Sequence, residues 1–235
     1  MSLINLFFIL IFVIIILDGI HRGFLHSTLS LGAFFVSLIT SYLFYPVMSA
    51  AIKSNQSIYD YFIYYTEGAE KIASFENTRL LVDTISQKQL NDVLSTSNLS
   101  EPFLTLIRQN VESKAFSALG ASTLGEYYNL TLVSAVLNFI SFIIIFVLAR
   151  IIFSFVLGAI DYTIRLPELR QYNRTMGALF GSIRGLMFCF LIASVIPVII
   201  LVFPVSLITD YYKSSDMAIF FSENNFFWHF IRAVV

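Results

Sequence analysis

The sequence predicts an all-α, polytopic membrane protein with four transmembrane helices and a helical extracytoplasmic insert. Three observations predict it. The chain is 57% hydrophobic and only 12% charged, where an ordinary soluble domain carries about 25% charged residues. Long apolar runs recur, each close to the ~20 residues a helix needs to cross a hydrocarbon core. The 25 Phe and 12 Tyr suit lipid-facing and interfacial surfaces. A net charge of −1 supplies no global field to recruit nucleic acid or anionic lipid. Cys189 is the one cysteine, so an intrachain disulfide is excluded and the redox compartment is not indicated.

The first span is residues 3–17, LINLFFILIFVIIIL, apolar apart from Asn5. It lacks the basic start and small-residue cleavage site of a secretory signal, so it reads as an uncleaved helix. Residues 27–47 form the second span, about 31 Å long as helix. Tyr42 and Tyr45 suit a headgroup belt, and Pro46 suits a helix exit. A join of about nine residues makes the two spans a hairpin.

Residues 48–130 form the insert, which holds most of the acids and several lysines. Two amphipathic helices are expected in it. One covers 79–95, with Leu81, Val82, Ile85, Val93 and Leu94 on a stripe; the other starts at Ser100, Glu101 and Pro102, runs to Gly120, and places Phe103, Ile107 and Val111 on one side.

The third span is 132–149, after which Arg150 interrupts an apolar run that continues to Asp161. Residues 131–164 amount to about 51 Å of helix, more than a bilayer core needs. Either the helix bends after Arg150 and lies at the interface, or Arg150 sits in the membrane with a partner or water; the bend or snorkelling is the favoured expectation. Leu166 and Pro167 stop that helix, and a short polar turn leads into the fourth span.

That fourth span lies within 173–204, NRTMGALFGSIRGLMFCFLIASVIPVIILVFP. Gly177, Gly181 and Gly185 recur every fourth residue and so share one helix face. Such a face lets a second backbone come close. It serves either simple packing or a close-packed helix lining a symmetric assembly such as a pore. Pro197 predicts a kink. The tail, 205–235, is aromatic and weakly amphipathic, and is expected at the interface.

Basic residues in short loops set the orientation. Arg165, Arg170 and Arg174 lie between spans three and four, and Arg22 lies between spans one and two. Both loops are therefore cytoplasmic, and the insert and both termini lie outside.

Motifs for phosphate cradles, zinc hydrolysis, dinucleotides or a serine nucleophile do not occur. No catalytic residue, metal site or cofactor is expected. His21 and His26 lack further ligands and read as interfacial. Asp18 and Arg184 both lie near the cytoplasmic margin, either paired or separately solvated. Asn138, in the third span, is expected to make an interhelical hydrogen bond.

Two stretches resemble a known family. Gly19, Ile20, His21, Arg22, Gly23 and Phe24, followed by Ser30, Leu31 and Gly32, resemble the first hairpin of the colicin V production family. Asn173 and Arg174, followed by Gly177, Gly181, Arg184 and Gly185, resemble the start of its last span. The likeness covers roughly 1–47 and 131–205 and leaves out the insert. Ser27 stands where an acid is expected, and Asn5 where an aspartate often stands. The resemblance implies a multi-pass inner-membrane protein of bacteria, tied to bacteriocin (toxin) production or export and to envelope function. It implies no biochemical activity.

The expected domains are a first hairpin (1–47), the insert (48–130), a second hairpin (131–204) and the tail. The expected contact residues are Arg22, Gly23, Phe24, Asn173, Arg174, Gly177, Gly181, Arg184 and Gly185. The expected partners are the lipid bilayer and other membrane proteins or copies of the chain itself. A small oligomeric channel lined by the glycine helix is the alternative function.

Overall fold

The structure, a computed structural model, describes residues 2–163, 173–203 and 206–233, the side chains of 159–163, 206–208 and 213 excepted. The stop at Leu166 and Pro167 and the basic turn with Arg165 and Arg170 lie outside the described residues. The fold is all-helical. In chain order the helices are α1 (Leu3–Lys53), α2 (Gln56–Thr66), α3 (Phe75–Thr78), α4 (Gln87–Thr96), α5 (Glu101–Glu112), α6 (Leu124–Thr163), α7 (Asn173–Val202), α8 (Ser206–Lys213) and α9 (Asp216–Glu223). Three of them carry stretches long and apolar enough to cross a membrane: Leu3–Lys53, Leu124–Gly158 and Asn173–Val202.

The expected loop between the first two spans is absent. α1 runs for 51 residues, and its only departure from helical geometry is Gly23, at φ 84° and ψ −177°. Within the expected nine-residue join the helix is broken only at this glycine, in a conformation closed to L side chains. Pro46 does not end the helix either. It removes one backbone bond, but an apolar segment satisfies its remaining backbone groups best by staying helical. α7 likewise continues through Pro197.

α6 runs through Arg150 without a break and begins at Leu124, eight residues before the expected span. Its early start has a local cause. Glu126 accepts hydrogen bonds from the Ser122 and Thr123 backbone N–H groups, and Thr123 Oγ1 accepts from the Glu126 N–H. That reciprocal pairing caps a helix start.

Two compact units make up the chain. One comprises Met1–Phe44, Phe142–Ile196 and Val205–Phe227; the other comprises Tyr45–Ser141, Pro197–Pro204 and Trp228–Val235.

In the second unit the insert is folded rather than extended. The helix expected over 79–95 is confined to α4. Residues before it pair instead with the chain leading into α6: the Val82 N–H donates to the Ser122 carbonyl, and the Leu124 N–H to the Leu80 carbonyl. Ser86 and Gln89 form a capping box that starts the helix at Gln87. α5 ends at Glu112 rather than Gly120, because Lys114 takes a left-handed conformation (φ 52°) and the Ala115 N–H turns back to the Asn110 carbonyl. Phe103, Ile107 and Val111 are buried as expected.

Part of the tail packs into this unit. Trp228, Ile231 and Ala233 are buried in this second unit, and Trp228 stacks on Phe139 at 4.8 Å. Asn110 donates to Thr131 Oγ1 and to the Ala233 carbonyl. Asn138 accepts from Ser49 of α1, which makes the expected interhelical hydrogen bond, and donates to the Arg232 carbonyl of the tail. Trp228 packs on Phe139, and Asn110 and Asn138 hold the backbone carbonyls of Ala233 and Arg232.

In the first unit, Phe8, Cys189, Ala193, Ala218 and Phe221 form a core. Phe34 packs between Phe146 at 5.3 Å and Phe188 at 5.0 Å. Asn5 accepts from Ser215 Oγ and the Met217 N–H, which ties α1 to the start of α9. The outer faces stay apolar: Leu6, Leu10, Ile14 and Leu17 on α1, and Val147, Ile151 and Phe155 on α6, are exposed. Exposed apolar surface on this scale belongs in lipid.

Candidate functional site

The site lies in the first unit and is built from the middle of α1, the start of α7 and Arg150 of α6. Its frame is a crossing of glycines. A Cβ added to Gly177 would meet the Gly19 carbonyl oxygen, and one added to Gly19 would meet the Gly177 carbonyl oxygen, with Gly181 Cα at 3.1 Å. These are backbone atoms, which cannot rotate away, so α1 and α7 touch main chain to main chain. Gly181 lies in the same contact, against the Ile15 carbonyl at 3.2 Å, while Gly185 meets only side-chain atoms, the ring of Phe12 and the Cβ of Ile15. The glycine face is thus occupied by the chain's own first helix, and a pore lining would have to displace it.

The break at Gly23 leaves the second half of α1 with an unpaired helix start. Asn173 fills it from another helix. Its Oδ1 accepts the Phe24 N–H at 2.6 Å, which is N-cap chemistry supplied across 149 residues of sequence. The same side chain sits where a Cβ on Gly23 would be, and Phe24 packs edge-on against Phe180 at 5.3 Å. Gly23→Ala should therefore cost about 2 kcal/mol through backbone strain. Gly32→Ala is the control, since nothing lies within 4 Å of its Cβ position. Thermal unfolding in mild detergent compares the two; equal melting would remove the strain argument.

A charge cluster lies beside this crossing. Arg184 donates to Asp18 Oδ2 at 2.7 Å, and Arg22 donates to Asp18 Oδ1 at 2.7 Å. Side-chain exposure grades inward, from 54% for Arg22 through 33% for Asp18 to 7% for Arg184. Ser30 Oγ then accepts from both Arg184 at 2.6 Å and Arg150 at 2.7 Å. Asp18 and Arg184 form a pair, one of the two expected arrangements, and Arg184 is buried. It stands eleven residues after Asn173, about 16 Å along the helix. Arg150 does not follow a bend to the surface; it turns into the bundle and finds a partner there.

Of the expected contact residues, Arg22, Gly23, Phe24, Asn173, Gly177, Gly181 and Arg184 come together here. Gly185 is one turn further along the same crossing, and Arg174 is exposed at the start of α7. Asp18, Ser30 and Arg150 complete the cluster and were not on the expected contact set. A signal for Ser30 existed: Ser27, Ser30, Ser37 and Ser41 recur at helical spacing in an apolar span, and all four are buried. Ser27, at the position of the expected acid, donates to the Gly19 carbonyl.

Among the described residues the arrangement holds no nucleophile poised beside a base. It offers guanidinium donors, one carboxylate and a tight backbone contact, which suits locking helices and binding anions.

The sequence pattern of a protein family described as colicin V production protein matches residues 93–224. No curated protein and no solved structure matches the chain. The matched stretch takes in α5, α6, α7 and part of the insert, which the resemblance in the sequence left out. The motif around Gly19 to Phe24 lies before it. The Asn173 and glycine-helix motif lies inside it.

Proposed function

We infer the function from one premise: this chain belongs to the colicin V production protein family. As a membrane protein of that family, we propose that it works without catalysis in the bacterial inner membrane. Its role there is in bacteriocin (toxin) production or export, or in envelope homeostasis, and it acts through helix packing and partner binding. The observation that carries the reading is the glycine crossing with its Asp18–Arg184 lock, which fixes α1 against α7 and presents Arg22 and Arg174 outward. A rigid, charged platform without a reactive centre is what an adaptor for other membrane proteins requires.

In this reading α1 crosses the bilayer twice, turning at Gly23, and α6 and α7 cross once each. Arg22 and Arg174 lie on the cytoplasmic side, and the insert lies outside. Arg22 and Arg174 meet lipid phosphate or a cytoplasmic partner. A single cysteine at Arg108, exposed on α5, should react with an impermeant maleimide on intact cells. One at Gln171 should react only after permeabilisation. The reverse pattern would invert the topology. Loss of bacteriocin release from a deletion strain, restored by the wild-type chain, tests the biological role; unchanged release and an intact envelope after deletion would sink it.

A further inference from the structure

Arg150 is a half-buried cation that the helix lock does not use. Its Nη2 donates to Ser30, yet its Nη1 is buried and has no acceptor among the described residues. Asp18, the only carboxylate in the cluster among the described residues, is already divided between Arg22 and Arg184. Ser30 accepts from two guanidiniums, which fills both lone pairs of its hydroxyl. Its own O–H has no acceptor among the described residues.

The count of charge is unbalanced. Arg150 and Arg184 meet at one hydroxyl inside apolar helices, and among the described residues only Arg184 has a carboxylate partner. Like charges a few ångströms apart repel strongly where the dielectric is low. Intramembrane cations of this kind sit opposite a counter-charge. The unfilled donors, a guanidinium N–H and a hydroxyl, both call for an oxyanion.

We propose that Arg150 and Ser30 bind the phosphate of an anionic phospholipid. Arg150 is half-buried, at the edge where the packed face of α6 meets its outer face. The residues beside it on that outer face, Val147 and Ile151, are exposed and aliphatic, and Leu148 and Ile152 extend the same surface. Acyl chains cover such a surface, and a phosphodiester on the same molecule reaches the arginine. A net-negative headgroup supplies the missing charge, which a zwitterionic one does not. This rests on α1, α6 and α7 being embedded in the bilayer, and it names the lipid class that the cluster selects.

The test uses the full chain, purified and placed in nanodiscs of phosphatidylcholine alone, of phosphatidylcholine with phosphatidylglycerol, or of phosphatidylcholine with inorganic phosphate in the buffer. Phosphatidylglycerol should raise the melting temperature, and native mass spectrometry should find it retained on the protein. Arg150→Gln should weaken that retention about tenfold, the effect of one charged hydrogen bond. Arg150→Lys keeps the charge without the fork and should weaken it less, so the series stays informative if the glutamine variant folds poorly. Arg108→Gln, in the insert, should change nothing. Equal retention by wild type and both Arg150 variants would overturn the site. Stabilisation by inorganic phosphate equal to that by phosphatidylglycerol would overturn the lipid as its source. Release of the chain from native membranes by alkaline carbonate would defeat the embedding itself, separately from either result.

Discussion

Gly177→Ala should lower the stability of the folded protein by about 3 kcal/mol, the upper range for overpacking a tight contact. The added methyl has no room: the Gly19 carbonyl oxygen occupies its place, with Gly23 C at 2.9 Å and Gly23 Cα at 3.0 Å behind it. Every one of those atoms is main chain, so the helices must separate, and separation takes the Asn173 cap and the Asp18–Arg184 pair with it. The effect should fall along the face. Gly181→Ala meets backbone at 3.2 to 3.4 Å and needs only small shifts, while Gly185→Ala meets a Phe12 ring that can turn. Leu179→Ala, on the exposed side of α7, should be close to neutral. Melting by fluorescence-detected size exclusion ranks the four. A flat ranking would mean that the backbone contact is not what holds α1 to α7.

Arg184→Leu should be the most damaging change to the charge cluster, at about 3–5 kcal/mol, because it strands the inner half of a partly buried carboxylate. Asp18 would keep only Arg22, which is mostly solvated. Arg184→Lys should retain part of the stability, since one ammonium can reach Asp18 or Ser30 but cannot span both as the guanidinium does. If Arg184 served only to mark the cytoplasmic side, lysine would be silent, as orientation needs only the charge. A deletion strain complemented with each variant, normalised to membrane abundance, gives the functional reading. Full activity of the leucine variant at normal abundance would remove Arg184 from the site.

The sequence made the glycine face of α7 legible because a four-residue repeat maps directly onto one side of a helix. It did not reveal what fills that face. Gly19 was visible as part of a motif, but nothing local says that it opposes Gly177, because that contact is set by the tertiary crossing. The bend expected after Arg150 does not form, for a related reason. A lone charge in an apolar run is costly until a partner is found, and Ser30 lies 120 residues away. The extent of α1 was underestimated because proline and a short polar patch are stop signals in water, whereas an apolar surrounding favours continued helix. In the insert, the stripe from Leu81 to Leu94 was genuine apolar spacing, yet a backbone pairing with residues 122–124 outcompeted helix over its first half. The tail was expected at the interface from composition, which carries no sign of the stacking of Trp228 on Phe139.

The pairing of Asp18 also bears on how the chain is made. Arg184 follows it by 166 residues, roughly 10–30 s of synthesis at about 5–20 residues/s. For that interval a carboxylate stands in an apolar segment and its inner partner does not yet exist. Arg22, one turn away and emerging almost at once, already holds the other oxygen. It shields the acid while the first segment enters the membrane, and when α7 arrives Arg184 occupies the oxygen that Arg22 leaves open.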